Sequence, residues 1–186
     1  AFNKSVPADW SSAAFPLCAA AITNSDIAIE GPDMNDAQGD KQVIGYLKKM
    51  GANIKIQGQT IKIKGSELYG AELDLNNTPD VLPAISVVAC FAKGTTIIKN
   101  VAHARIKETD RIKIMREELS KMGADIKETV DGLIVKKSML KGAKLDGHHD
   151  HRVVMALSLA GLIAEGATEI KTAEAINVTF PCYVEL

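Results

Sequence analysis

The sequence predicts an α/β protein of the α+β type, built from β-α-β-α-β-β units that repeat around a pseudo-threefold axis. The segment KMGANIK at residues 49–55 recurs as KMGADIK at residues 121–127, which is 72 positions later. Such self-similarity is the sequence signature of repeated structural units. Helix-length apolar runs also alternate with short β-branched segments, which indicates alternating helices and strands. A solenoid is the alternative, but its repeats are typically only about 20–45 residues long, so closure around an axis fits better.

The second unit gives the clearest order of elements. Its first strand is followed by a helix-length apolar run that ends at Gly94, a residue type common at helix C-termini. A β-branched strand, an amphipathic helix and a hairpin around Asp131-Gly132, a strong turn dipeptide, come next. The predicted bounds are strands at 72–75, 95–99, 125–129 and 133–137, and helices at 79–93 and 107–122.

The units span residues 4–64, 72–137 and 144–186, and the third is incomplete because its second helix has only begun at Leu186. An uncompleted unit leaves strand edges unpaired. We therefore expect the missing strands to come from the extreme amino terminus of a longer polypeptide. The absence of an initiator Met agrees with an excised segment, and we interpret residues 1–186 as one domain, the carboxy-terminal half of a two-domain protein.

Composition narrows the possible functions. The hydrophobic content is 46%, aromatic residues make up 4%, and the formal net charge is −1. That balance argues against nucleic-acid binding, which usually requires a basic excess. Three cysteines without metal-ligand spacing favour a reducing compartment. No segment predicts a bilayer span or a secretory signal, so we expect a cytoplasmic protein that binds no membrane.

Each unit's first helix begins near an acidic residue, namely Asp9, Asp80 or Asp150. Capping is the ordinary role of an acidic side chain at this position. If a threefold axis relates the three helices, however, their amino termini lie on the same side of the domain. Several positive dipole ends would then face one region and favour an anionic ligand.

Two charged segments are further candidates for a site. Four of the five residues from Lys107 to Arg111 are charged, and the run HHDHR at residues 148–152 enters an otherwise apolar helix. Solvated charges are the ordinary explanation of such runs. An arginine at the start of a buried helix nevertheless needs a carboxylate or an anionic ligand. The histidines alone do not indicate a metal site, because no thiolate or carboxylate partner has suitable spacing.

These segments resemble the signatures of the 5-enolpyruvylshikimate-3-phosphate synthase family, and the resemblance covers essentially the whole chain. The family implies the enolpyruvyl transferase fold, with two domains of three units each and an active site between them. It also implies no metal and no cofactor. The matching segments are RIKETDR at 105–111, DHR at 150–152 with Met155-Ala156, DWSSA at 9–13, Pro79-Asp80 and TFP at 179–181.

The resemblance implies transfer of the enolpyruvyl group of phosphoenolpyruvate to the 5-hydroxyl of shikimate 3-phosphate, with release of phosphate, in chorismate and aromatic amino acid biosynthesis. It makes Asp80 the base for the attacking hydroxyl, while Glu108 handles the proton at the methylene carbon. Lys107 contacts the substrates and assists proton transfer. The expected substrate-binding residues are Lys107, Arg111, Arg152, His103 and His151.

Some positions depart from the family pattern. Val178 stands where many members carry a Lys, and His103 stands where they often carry Asn, although His donates a similar hydrogen bond. Two alternatives remain open: a sister enzyme that acts on a UDP-sugar, and a non-catalytic anion-binding domain. The sister enzymes lack the lysine-glutamate run found here at Lys107-Glu108. We expect a monomeric full enzyme whose isolated carboxy-terminal half has no appreciable turnover.

Overall fold

The structure, a computed structural model, describes residues 6–186, and the first two residues of the predicted first unit, 4 and 5, lie outside them. Nine strands and five α-helices are present in this part of the chain. The helices are α1 (Trp10–Thr23), α2 (Val43–Lys49), α3 (Leu82–Phe91), α4 (Arg111–Lys121) and α5 (His151–Ile163). The strands are β1 (Asp26–Glu30), β2 (Asn53–Gln57), β3 (Thr60–Lys64), β4 (Glu72–Asp74), β5 (Thr95–Lys99), β6 (Asp125–Glu128), β7 (Leu133–Lys136), β8 (Lys144–Asp146) and β9 (Glu169–Lys171).

The second unit confirms the predicted β-α-β-α-β-β order. Its sheet runs β4-β5-β7-β6, with β5 parallel to β4 and antiparallel to β7. The first helix is shorter than predicted: a 3₁₀ turn, Pro79–Val81, precedes α3. At its other end the helix stops at Phe91, because Ala92 is already extended. Gly94 follows with φ +86, the left-handed conformation that glycine adopts readily.

The predicted start of the second helix at residue 107 is wrong. A 3₁₀ turn, Ala102–Ile106, comes first, and α4 begins only at Arg111. The reason is local, because the Asp110 carboxylate accepts a hydrogen bond from the Lys113 backbone N–H at 3.0 Å and so caps the helix there. Residues 107–109 are therefore a loop.

The first and third units have fewer strands than the second. In the described part of the chain, β1 pairs only with β3, and no strand precedes α1. In the third unit β8 and β9 form a two-stranded parallel sheet. Two 3₁₀ turns, Ala173–Val178 and Tyr183–Glu185, follow in place of the expected beginning of an α-helix, and residues 172–186 contain no hairpin.

The first helices of the three units pack against one another and form the centre of the domain. Helices α1, α3 and α5 each contact the other two, and the faces that meet are buried and apolar. The repeat register extends to backbone detail: a Cβ added at Gly70 would lie 2.2 Å from the Thr95 carbonyl oxygen, and one added at Gly142 would lie 2.2 Å from that of Ala167. Within residues 6–186, no helix is long and apolar enough to cross a membrane.

Candidate active site

The starts of α1 and α5 are capped by aspartates, as local sequence predicts. Asp9 accepts hydrogen bonds from the backbone N–H groups of Ser11 (3.0 Å) and Ser12 (3.1 Å). Asp150 accepts one from the Arg152 N–H at 2.9 Å. Partial burial alone would raise the pKa of Asp9, but the hydroxyl and backbone hydrogen bonds of the two serines outweigh it and lower that pKa.

Asp80 does not have this capping role, so the ordinary explanation of an acidic residue at a helix start is wrong for it. The cap residue of its turn is Thr78, and Asp80 lies inside the turn. The 72-residue repeat agrees with this, since it relates positions 78 and 150, and therefore positions 80 and 152. Asp80 is consequently the counterpart of Arg152, and both lie two residues after a cap, as Ser11 does after Asp9.

The side chains at these three equivalent positions meet where the three helices begin. Arg152 donates a hydrogen bond from Nη2 to Ser11 Oγ at 3.1 Å, and the same atom lies 3.4 Å from Asp80 Oδ2. Only 13% of the Arg152 side chain is exposed. The pseudo-symmetry thus brings a hydroxyl, a carboxylate and a guanidinium together.

Arg111 lies beneath this meeting point and joins three carboxylates. Its side chain has no exposed surface. Nη1 donates to Asp80 Oδ1 at 2.7 Å, and Nη2 donates to Glu108 Oε2 at 2.6 Å. Nε donates to Asp150 Oδ2 at 2.8 Å, and Nη2 also reaches Asp150 Oδ1 at 3.1 Å. The first residue of α4 therefore ties the second unit's first helix, its charged loop and the third unit's first helix together.

Asp80 is held in its ionised form. Partial burial on its own would raise the pKa of Asp80, but the charges of Arg152, Arg111 and Lys107 outweigh burial and hold the pKa below its ordinary value. The Lys107 ammonium lies 3.4 Å from Asp80 Oδ1. An ionised carboxylate is a proton acceptor, which is the state that a general base needs before reaction.

The remaining predicted residues are placed around this cluster with different degrees of exposure. Glu108 is the most open of the carboxylates that contact Arg111, with 47% of its side chain exposed. His151, in the first turn of α5, is half-buried, and burial together with the nearby Arg152 lowers its pKa. His103 lies in the 3₁₀ turn before the charged loop, and no side-chain partner for it is found among residues 6–186. Val178 is exposed at the end of another 3₁₀ turn.

Asp40 is a residue that sequence reasoning missed. It lies in the 3₁₀ turn Gly39–Gln42, between β1 and α2. Burial and the nearby carboxylate of Asp80 raise the pKa of Asp40 to about 6, although Arg152 acts in the opposite direction. Local sequence gives no signal for Asp40, and its proximity to the Asp80 turn is visible only in the structure, where a Cβ added at the preceding Gly39 would lie 2.6 Å from the Asn77 carbonyl oxygen.

The aspartate caps occupy some of the backbone N–H groups at the amino ends of α1 and α5. On α1 the N–H groups of Ser11 and Ser12 donate to Asp9, and on α5 those of Arg152 and Val153 donate to Asp150. Positive charge also reaches the cluster through the side chains of Lys107, Arg111 and Arg152. Within residues 6–186, no group of three or more His, Cys, Asp or Glu side chains is arranged to hold a metal ion.

Comparison with known proteins finds one family. The model of the EPSP synthase family (3-phosphoshikimate 1-carboxyvinyltransferase) matches residues 1–186. A 3-phosphoshikimate 1-carboxyvinyltransferase of Acetivibrio thermocellus is 56% identical over 182 residues, which cover 98% of this chain and 43% of the relative. The enzyme of the same name from Methanocaldococcus jannaschii is 46% identical over 183 residues, covering 97% of this chain and 43% of the relative.

A solved structure gives the same result. The 2.37 Å structure of EPSP synthase from Acinetobacter baumannii matches with a TM-score of 0.88 and 36% sequence identity. The match covers 97% of this chain and 45% of that one. The chain therefore spans less than half the length of the relatives that it matches.

Proposed function

Because this chain belongs to the EPSP synthase family, we propose that it is the carboxy-terminal domain of a two-domain enzyme that transfers the enolpyruvyl group of phosphoenolpyruvate to the 5-hydroxyl of shikimate 3-phosphate. Phosphate is the second product. The chain spans 43% of the length of its Acetivibrio thermocellus relative, which supports the view that residues 1–186 are one domain of two. Besides its substrates, the partner of this domain is then the amino-terminal domain of the same polypeptide.

The observation that carries the proposal is the ionised Asp80 among three cations. Arg111 contacts its carboxylate at 2.7 Å, and Lys107 and Arg152 each lie 3.4 Å from it. We assign Asp80 as the base that removes the proton from the 5-hydroxyl. The hydroxyl oxygen then forms a bond to carbon 2 of phosphoenolpyruvate.

The charged loop supplies the second proton transfer. The methylene carbon of phosphoenolpyruvate gains a proton when the bond forms and loses one again when phosphate leaves. We assign this exchange to Glu108, with Lys107 assisting, since the two are adjacent in the loop and both are partly exposed. General acid–base groups of this kind each contribute typically about 10²–10⁴ in rate.

The cationic side chains bind the anionic groups of phosphoenolpyruvate in this proposal. Arg152 and Lys107 are the accessible cations, because both retain exposed surface. Arg111 is fully buried, but its four observed hydrogen bonds leave one of its five N–H groups without a partner among residues 6–186. His103 and His151 lie close in sequence to these cations and add hydrogen-bond donors for the substrates.

The wider assignment is a monomeric cytoplasmic enzyme that needs no cofactor and binds neither nucleic acid nor membrane. Cys18 and Cys90 are buried free thiols, which agrees with a reducing compartment. The net charge of −1 offers no basic excess for nucleic acid.

The test measures phosphate release from phosphoenolpyruvate by the chain recombined with its amino-terminal domain. Shikimate 3-phosphate and a UDP-sugar are supplied as rival acceptors. Release that requires shikimate 3-phosphate, and that is lost in Asp80→Asn and Glu108→Gln, supports the assignment. Release with the UDP-sugar alone, or no release with either acceptor from a folded complex, contradicts it.

A further inference from the structure

The loop that carries Lys107 and Glu108 has little support from the backbone. Residues 107–109 lie between a 3₁₀ turn and α4, and within the part of the chain that the structure describes none of them makes a backbone hydrogen bond. Their side chains reach three separate partners, since Lys107 lies near Asp80, Glu108 accepts a hydrogen bond from Arg111, and Thr109 donates one to Asp150 Oδ2 at 3.0 Å. Contacts other than backbone hydrogen bonds within the loop must therefore hold its conformation.

Arg105 joins the two ends of this loop. Its Nη1 lies 2.9 Å from Asp110 Oδ2 and 3.2 Å from Asp110 Oδ1. Asp110 in turn caps α4, so the arginine is attached to the helix that begins with Arg111. The contact spans the whole loop and sets the distance between the residues that flank it.

The same guanidinium also fixes the loop to the β6–β7 hairpin. Nη2 donates to the Thr129 carbonyl oxygen at 2.6 Å, and Nε donates to the Val130 carbonyl oxygen at 3.1 Å. Nη1 lies 3.0 Å from Glu128 Oε1. The carboxylates of Asp110 and Glu128 raise the pKa of Arg105, against the opposing effect of burial, so the side chain stays charged.

From this geometry we infer that Arg105 is a positioning residue, which holds the 107–109 loop so that Lys107 and Glu108 face Asp80 and Arg111. The inference rests on the proposed function for its kinetic consequence, but the loop clamp itself is a separate structural claim. Arginine is needed here because its planar fork serves several acceptors at once. A lysine has one nitrogen and reaches only part of this set.

Arg116 offers a matched control. Its Nε lies 3.5 Å from Oε2 of Glu128, the same carboxylate that Arg105 contacts, and its Nη2 lies 3.0 Å from Glu117. It makes no contact with the 107–109 loop among its hydrogen bonds and ion pairs. Arg116→Ala therefore removes the same charge from the same neighbourhood and leaves the loop clamp intact.

The first measurement is steady-state phosphate release by the recombined two-domain enzyme. Arg105→Ala is expected to lower kcat by roughly 10–100-fold, because a displacement of catalytic groups by about 1 Å has consequences of that size. Arg105→Lys recovers part of this loss, and Arg116→Ala stays within about twofold of the parent. A kcat for Arg105→Ala equal to that of Arg116→Ala overturns the inference.

The second measurement does not depend on turnover. A lysine-specific endoproteinase under native conditions cleaves after Lys107 only when the loop opens. We expect cleavage there, followed by mass spectrometry, to be about tenfold faster in Arg105→Ala, because cleavage follows the open population, and unchanged in Arg116→Ala. Equal cleavage rates in all three proteins refute the clamp, whereas an inactive parent with accelerated cleavage in Arg105→Ala refutes only the proposed function.

Discussion

Replacement of Asp150 by alanine is expected to destabilise the fold far more than replacement of Asp9, although both residues are helix caps. Each carboxylate accepts hydrogen bonds from two backbone N–H groups of the helix that it begins. Loss of a cap alone costs about 1 kcal/mol. Asp150 additionally neutralises Arg111, and neither side chain has exposed surface. Removing Asp150 takes its charge-assisted hydrogen bonds from the buried Arg111, which costs about 1.5–3 kcal/mol, while Asp80 and Glu108 remain as partners of the guanidinium.

Urea denaturation of the two variants measures this difference directly. Asp9→Ala should lower the free energy of unfolding by about 1 kcal/mol. Asp150→Ala should lower it by about 2.5–4 kcal/mol, which corresponds to roughly 5–16 °C in Tm for a domain of this size. Asp150→Asn keeps a good capping side chain, so it isolates the loss of charge. Equal destabilisation by Asp9→Ala and Asp150→Ala would refute the reasoning.

The pH dependence of the Asp150 effect provides a further check on its cause. Burial alone would raise the pKa of Asp150, but the contacts of Arg111 and the Arg152 N–H outweigh it and lower that pKa. A carboxyl group whose pKa is lower in the folded than in the unfolded state stabilises the fold at pH values above its ordinary pKa. This stabilisation is lost as the pH falls through the lowered pKa. The difference between Asp150→Ala and the parent should therefore be constant near neutrality and shrink in acid.

Three other predictions follow from the same structure. Glu118→Ala should lower the free energy of unfolding by about 1–3 kcal/mol, because this carboxylate is only 2% exposed and accepts hydrogen bonds from the Asp146 N–H and other donors. Glu117→Ala, at a side chain that is 34% exposed, should lower it by about 0–1 kcal/mol. Equal losses for the two variants in urea denaturation would contradict this prediction. Asp40→Asn should stabilise the fold by about 1–3 kcal/mol at pH 7, because a raised pKa favours folding only at low pH and that contribution is lost as the pH rises through about 6. Unfolding at pH 4 and pH 7 checks this, and an equal effect at both values would exclude Asp40 titration as its cause. In the recombined enzyme, Glu108→Gln should lower kcat by about 10²–10⁴, and an unchanged kcat would remove Glu108 from the proton transfer.

Much of the fold could be predicted because the units share the glycines that end their helices as well as their apolar residues. The segments at 49–55 and 121–127 place a glycine after a helix and a strand after the glycine, and both copies fold in that way. The hairpin around Asp131-Gly132 formed as predicted, with β6 and β7 in antiparallel register. These elements are determined by residues close together in sequence, so local patterns are sufficient for them.

The start of α4 and the role of Asp80 were harder to predict. Apolar residues at helical spacing among charged ones predicted a helix from 107, but the Asp110 side chain accepts a hydrogen bond from a backbone N–H and the helix begins later. The resemblance identified Asp80 and Arg111 as site residues. It did not show that Arg111 is buried beneath three carboxylates, because those carboxylates come from positions 80, 108 and 150. Contacts between units depend on how the units pack, which no local pattern contains.

The repeat also explains how a symmetric scaffold acquires an asymmetric site. The three helix starts present structurally equivalent positions, two residues after each cap, and the scaffold brings these positions together whatever side chains they carry. In this chain they carry Ser11, Asp80 and Arg152, which are a neutral group, an anion and a cation. Three carboxylates there would repel one another, and three arginines would leave no base. Divergence at a single equivalent position thus places a proton acceptor beside a cation, while the apolar residues that hold the helices together keep the pattern common to all three units.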